Sequence, residues 1–270
     1  MAAWQLAHAY PTVNVLRAGA GAAIELNRPE ALNAWNHQLG VDLRAAVDRV
    51  AGDKDVRAVL LRGAGRAFSS GADLRDVLNA ADPRRPDVYR ILTELYNPII
   101  TGIRRMPKPV VAAVHGPAVG IGCSLALACD LIVAAESAYF MLAFVNIGLA
   151  PDGGASTFVA ARAGAARAAE MAMLGERVPA VLALQWGLIN RVVSDGEFTA
   201  ESGGLVERLA QGPTRSYVGT KRQLNRWLYA GLDDQLELEP RLQHEVAATD
   251  DFAEGVAAFL GKRRPRYQGK

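Results

Sequence analysis

The stretch VVAAVHGPAVGIGCSLALACDLIVA, residues 110–134, decides the fold. Val110 to Val114 is a short apolar run, the glycine-rich turn Gly116 to Gly122 follows, and a helix of small residues leads to a second β-like run, Leu131 to Ala134. Strand, helix and strand in so short a span predict an α/β core.

The pattern extends upstream. Val13 to Leu16 and Ala22 to Leu26 are β-like runs separated by the AGAG turn and closed by NRPE, which predicts a hairpin. Leu39, Leu43, Val47 and Val50 recur at helical spacing, and Val56 to Leu61 reads as the next strand. A second helix is predicted from Pro86 to Arg105, with Ile91, Leu95, Ile99 and Ile103 at i+4 intervals and a kink at Pro98; Pro107 and Pro109 end it. Downstream of Gly154 the pattern becomes mostly helical, interrupted by one short strand, Asn190 to Val193. The reading is an α/β core over residues 1–195 that carries the active site, followed by a helical region over residues 196–270.

Composition narrows the partners. Thirty Lys and Arg against twenty-eight Asp and Glu leave no global field that would favour nucleic acid or a membrane surface, so neither is expected as a partner. The chain opens with no basic segment leading into an apolar core and contains no run of about 18 apolar residues, which places it in the cytoplasm as an expectation. Cys123 and Cys129 lie six apart in a helical stretch, roughly 9 Å along the axis and about 120° around it, which predicts buried thiols and no disulfide.

Three places carry candidate chemistry. The loop Arg66 to Arg75, RAFSSGADLR, follows a strand and exposes backbone N–H groups. The turn at Gly116 to Gly122 enters a helix whose first N–H groups are free and whose dipole favours negative charge. Two such donors on one point would make an oxyanion hole. The third is Asp152 in IGLAPDGGAS, where the structural alternative is a helix N-cap and the functional one a carboxyl in an apolar pocket, with Phe140, Met141, Leu142, Phe144 and Ile147 nearby in sequence. Other chemistries lack their residues. No P-loop, dinucleotide fingerprint or G-x-S-x-G elbow is present, and His8, His37, His115 and His244 stand singly, so no metal is expected.

Together these residues resemble the enoyl-CoA hydratase/isomerase (crotonase) superfamily. The match runs in order through LNRPEALN (26–33), AFSSGADL (67–74), residues 113–130, residues 146–154 and the tail EGVAAFLGKR (254–263), nearly the whole chain. It is similar in particular to the 1,2-epoxyphenylacetyl-CoA isomerases of phenylacetate degradation. The resemblance implies a repeated β-β-α superhelix whose helical C-terminal part builds trimers or dimers of trimers. It implies an acyl-CoA thioester substrate, with no separate cofactor because coenzyme A belongs to the substrate. It also implies that the thioester oxygen sits between the N–H groups of Ala72, after Gly71, and Ile121, after Gly120, although family members commonly carry glycine where Ile121 stands. Ala31, Leu32, Ser70, Ala72 and Leu74 match coenzyme A contacts, and Phe259 and Lys262 match tail residues that reach the coenzyme A of a neighbouring subunit.

The departures bear on the reaction. Ser124 and Phe144 occupy the positions where hydratases carry the two glutamates that hold and activate water, and neither is a carboxylate base. Asp152 matches the catalytic aspartate of several isomerases. It also matches the nucleophile of 4-chlorobenzoyl-CoA dehalogenases, but Ala143 and Phe144 replace the tryptophan and histidine that mark that group. The expectation is therefore an isomerase, shifting a double bond from 3-enoyl-CoA to 2-enoyl-CoA or rearranging a ring epoxide. A hydratase and a non-catalytic acyl-CoA-binding homologue are the alternatives, and RNA binding through the basic run at residues 262–266 is the weakest reading.

Overall fold

The computed structural model describes residues 3–75 and 87–270. Its larger sheet has seven strands, β1 (Gln5–Ala9), β2 (Val13–Ala18), β3 (Gly21–Leu26), β4 (Ala58–Gly63), β5 (Val110–Val114), β7 (Leu131–Ala135) and β10 (Arg191–Val193), in that spatial order. The first three are antiparallel, and the predicted hairpin is present with Val15 opposite Ile24. From β3 onward the strands are parallel. Strand β4 begins two residues later than the run at Val56 suggested, because the N–H of Val56 bonds the carbonyl of Asp53 in the turn that ends the preceding helix.

Each of β3, β4, β5 and β7 is followed by a second, shorter pairing before the chain turns into a helix. After β3, Trp35 bridges to Ala72 and the His37–Gly52 helix follows. After β4, Ser69 bridges to Ala118, and Leu74 and Arg75 are helical. After β5 comes β6 (Pro117–Val119) and then the Ile121–Ala128 helix. Strand β7 is followed by β8 (Tyr139–Met141), which pairs with β6 on one side and β9 (Val178–Pro179) on the other. This is the repeated β-β-α superhelix.

Alternation along the strands divides the core in two. Val59, Leu61, Val110, Ala112 and Val114 face the helices that end each repeat. Leu60, Val111, Ala113 and Val133 face the other way, onto Leu205, Val206 and Leu209 of the Phe198–Gln211 helix. Strands buried on both faces have no polar side, which is why they read as unbroken apolar runs.

The second predicted helix is present as Val88–Ile91, a π-helical turn over Leu92–Tyr96, and Asn97–Arg105. Its expected start at Pro86 lies outside the described residues. Pro98 has no N–H to offer the carbonyl of Glu94 one turn back; that oxygen accepts from Arg44 Nη1 at 3.1 Å, and the irregularity sits in the π turn just ahead of the proline. Cys123 and Cys129 are free and buried, and desolvation pushes both thiols up to about 12. Among the described residues no helix is long and apolar enough to cross a membrane.

Candidate active site

The turn after β4 is held by a residue the sequence did not single out. Asn33 is fully buried in a left-handed conformation (φ 54°). Its Oδ1 accepts from the N–H of Arg28 at 2.9 Å, and its Nδ2 donates to the carbonyls of Ala64 at 2.9 Å and Ala67 at 2.8 Å. The neighbouring backbone therefore comes to a fixed place: the N–H of Ser70 donates to the carbonyl of Leu32 at 3.0 Å, and Ser70 Oγ faces the carbonyl of Ala31 at 3.5 Å. Ala31, Leu32 and Ser70 are thus brought together. Trp35 brackets Ala72 by donating to the carbonyl of Gly71 and accepting from the N–H of Asp73, at 2.8 and 2.9 Å. In such a parallel bridge the N–H of the bracketed residue points away from its partner strand. Among the described residues the Ala72 N–H has no acceptor.

The second turn lies against the first. The N–H of Val119 donates to the carbonyl of Ser69 at 3.0 Å and that of Gly120 to Met141 at 2.9 Å, which leaves the first helical N–H, that of Ile121, without an acceptor among the described residues. Gly71 adopts φ 93°, and a Cβ there would sit 2.9 Å from the carbonyl oxygen of Val119 and 3.8 Å from Gly120 Cα. A Cβ at Gly122 would lie 2.6 Å from that of Ser69. Glycine is required at both because two backbones touch there. Ala72, after Gly71, and Ile121, after Gly120, carry two of the N–H groups left free at this contact among the described residues.

Asp152 closes the group. Gly154 takes the cap position of the Ala155–Ala163 helix, which has no side-chain cap hydrogen bond, and the Asp152 carboxyl meets Gln243 instead, which overturns the N-cap alternative. Its carboxyl is 6% exposed; Oδ2 accepts from Gln243 Nε2 at 2.8 Å, and Oδ1 has no partner among the described residues. Burial pushes the group up to about 7, the Gln243 hydrogen bond opposing the shift. Ser124 Oγ donates to the carbonyl of Asp152 at 2.9 Å, and a Cβ at Gly153 would meet Ile121 Cδ1 at 2.6 Å, so the aspartate loop rests on the first turn of the helix that Ile121 begins.

Phe144 supplies the apolar wall. It sits in the 3-10 turn Ala143–Ile147, is buried, and places its ring Cζ 4.0 Å from where a Cβ on Gly120 would be. Leu74 is half-buried at the rim. Phe259 is 62% exposed at the end of the last helix, and Lys262 is exposed just beyond it; among the described residues neither side chain makes a hydrogen bond or ion pair. Within one chain these two stay apart from the turns.

Two further residues reach Asp152 from the Leu232–Ala247 helix. Gln243 is one, and Glu239 is the other: it is 2% exposed, accepts from the N–H of Gly154 at 2.9 Å and is pushed up to about 8 by burial, with the nearby charge of Asp152 adding to the shift. The usable signal in the sequence was the i+4 spacing of Gln235, Glu239 and Gln243 on one helix face.

Two parallel-repeat turns that offer free N–H groups beside a buried carboxyl make up a crotonase-type arrangement. Residues 18–270 match the family model described as enoyl-CoA hydratase/isomerase, and the chain belongs to that family. It is 42% identical over 249 residues, 92% of this chain and 95% of the relative, to a probable enoyl-CoA hydratase of Rhodobacter capsulatus. It is 39% identical, over 92% of this chain and 94% of the relative, to the 1,2-epoxyphenylacetyl-CoA isomerase of Escherichia coli. A solved enoyl-CoA hydratase from Mycobacterium avium subsp. paratuberculosis superimposes with a TM-score of 0.88 at 39% identity, covering 96% of this chain and all of that one.

Proposed function

We propose that this member of the family is an acyl-CoA isomerase in which the N–H groups of Ala72 and Ile121 hold the thioester oxygen and Asp152 moves a proton from C2 to C4, converting a 3-enoyl-CoA to the conjugated 2-enoyl-CoA. The observation that carries this reading is the Asp152 carboxyl, which is buried and, among the described residues, has no cation beside it and one oxygen uncommitted. A carboxylate held near neutrality suits reversible proton transfer at the α-carbon, whose acidity rises when the enolate oxygen is met by fixed donors. Each donor contributes roughly 3 kcal/mol to lowering the barrier.

Hydration needs a second base to hold water. At the two places where the resemblance puts glutamates stand Ser124, whose hydroxyl is committed to the carbonyl of Asp152, and Phe144, whose ring covers Gly120. Neither activates water, and this favours isomerisation. Rearrangement of a ring epoxide on a phenylacetyl thioester is the second reading, favoured by the 39% identity to an isomerase of that name. The oligomer is proposed as a trimer or pair of trimers through the region 196–270, where Trp227 is 85% exposed and Leu224, Leu228, Leu238 and Leu242 are exposed as well.

The test is a pair of incubations, one with a 3-enoyl-CoA and one with crotonyl-CoA, followed by the absorbance of the conjugated thioester and by product mass. A rise with the first and no water addition to the second is the expected result. Fast hydration of crotonyl-CoA would overturn the reading.

A further inference from the structure

Asp152 has two oxygens, and the groups around it treat them differently. Gln243, fully buried, contributes both ends of its amide: Oε1 accepts from the backbone N–H of Ala150 at 3.2 Å, and Nε2 donates to Asp152 Oδ2 at 2.8 Å. The backbone N–H can only donate, so the amide oxygen must face Ala150 and the amide nitrogen must face the carboxyl. The orientation is fixed by the chain itself. Protonating Oδ2 would take up one of its two acceptor positions and weaken the bond from Gln243, whereas Oδ1 meets no donor among the described residues.

We propose that Gln243 is a positioning residue that reserves Oδ2 of Asp152 as the anchored oxygen and makes Oδ1 the one that takes the substrate proton and returns it. The inference rests on Asp152 being the base. It goes beyond that reading by naming the oxygen that reacts and the residue that selects it. The balance is closed: Oδ1 gains the proton lost by C2 as that electron pair moves toward the thioester oxygen. The same proton then leaves Oδ1 for C4, whose new bond takes the C3=C4 pair, while the enolate pair returns to re-form the carbonyl and leave a C2=C3 double bond.

Glu239, on the same helix, is the other titratable side chain whose charge bears on this site among the described residues. It holds the loop from the far side, accepting from Gly154, with Ser156 Oγ at 3.5 Å from its other oxygen. It therefore adds no donor to Asp152.

The experiment has two readouts. The variant Gln243→Met removes the N–H donor at nearly constant length, and Gln243→Asn keeps an amide but withdraws it by one methylene. Each is assayed for kcat and KM on a 3-enoyl-CoA across pH, and the Asp152 carboxyl is titrated by carbon-13 NMR in the substrate-free protein. For Gln243→Met, kcat is expected to fall roughly 10- to 100-fold, as for loss of a hydrogen bond to a charged group. KM should change far less, and both the acid limb and the NMR midpoint should move to higher pH because the ionised form has lost its donor. Gln243→Asn should move both in the same direction by less. A role confined to packing would lower Tm and leave both midpoints in place, which would overturn the inference, and Gln243→Asn decides if Gln243→Met does not fold. Full activity in Asp152→Asn with a moved NMR midpoint in the Gln243 variants would instead sink Asp152 as the base while leaving Gln243 as the group that orients it.

Discussion

Two aspartates in this chain, Asp130 half-buried and Asp152 buried, meet opposite surroundings. Asp130, at the head of β7, accepts from Arg104 Nη1 at 3.2 Å, from Lys221 Nζ at 2.8 Å and from the N–H of Val110 at 2.8 Å. Both cations are themselves nearly fully buried, and Lys221 also donates to the carbonyl of Ile103 at 3.0 Å. Among the described residues Asp152 meets no cation and a single amide N–H, that of Gln243. Each aspartate joins a C-terminal helix to the core, Asp130 through Lys221 and Asp152 through Gln243. The difference lies in charge compensation: two cations pair with Asp130 and fasten the fold, whereas burial with no cation among the described residues pushes Asp152 up to about 7.

The strongest way to break this contrast is to neutralise each acid in turn. Asp152→Asn removes the proton acceptor and preserves shape, so isomerase turnover should fall roughly 10²- to 10⁴-fold while calorimetric binding of an acyl-CoA persists. Unchanged turnover would mean that the uncompensated carboxyl is idle. Asp130→Ala strands Arg104 and Lys221 as unpaired buried cations and should cost about 3–5 kcal/mol of folding stability in a urea titration, with activity per folded molecule preserved. If the second variant were stable and inactive, the division into fastening acid and reacting acid would fail.

The contrast also explains what was legible beforehand. The Asp152 loop stands out because a proline and two glycines flank a lone acid, and the touching turns stand out because close backbone approach demands glycine. Gln243 and Glu239 lie 91 and 85 residues from their partners on the aspartate loop, and a polar stripe on a helix has the same pattern whether it faces water or a buried carboxyl. Strand β1 carries no apolar face, since four of its five residues are exposed, so period-two alternation had nothing to detect. The small sheet is built from strands of two and three residues, too short for any periodicity. Asn33 was hidden differently, because its importance comes from three backbone partners that only the folded loops bring within reach.

The smallest effect separates the two acids by pH. Asp152 and Glu239 are both held above their ordinary values by burial, at about 7 and about 8, so the folded chain binds more protons than the unfolded chain wherever the pH lies between the ordinary carboxyl range and those values. Their contribution is fully present below about pH 4 and is lost as the pH rises through 7 and 8. Water entry and local relaxation on ionisation reduce the loss to about 2 kcal/mol between pH 5 and 9. The double variant Asp152→Asn, Glu239→Gln has nothing to ionise there and keeps an acceptor for the N–H of Gly154. Its Tm should therefore gain on the native chain as the pH is raised from 5 to 9. Parallel Tm curves for the two proteins would show that the pair near the candidate active site is as well compensated as Asp130, and the contrast on which the proton-transfer reading rests would disappear.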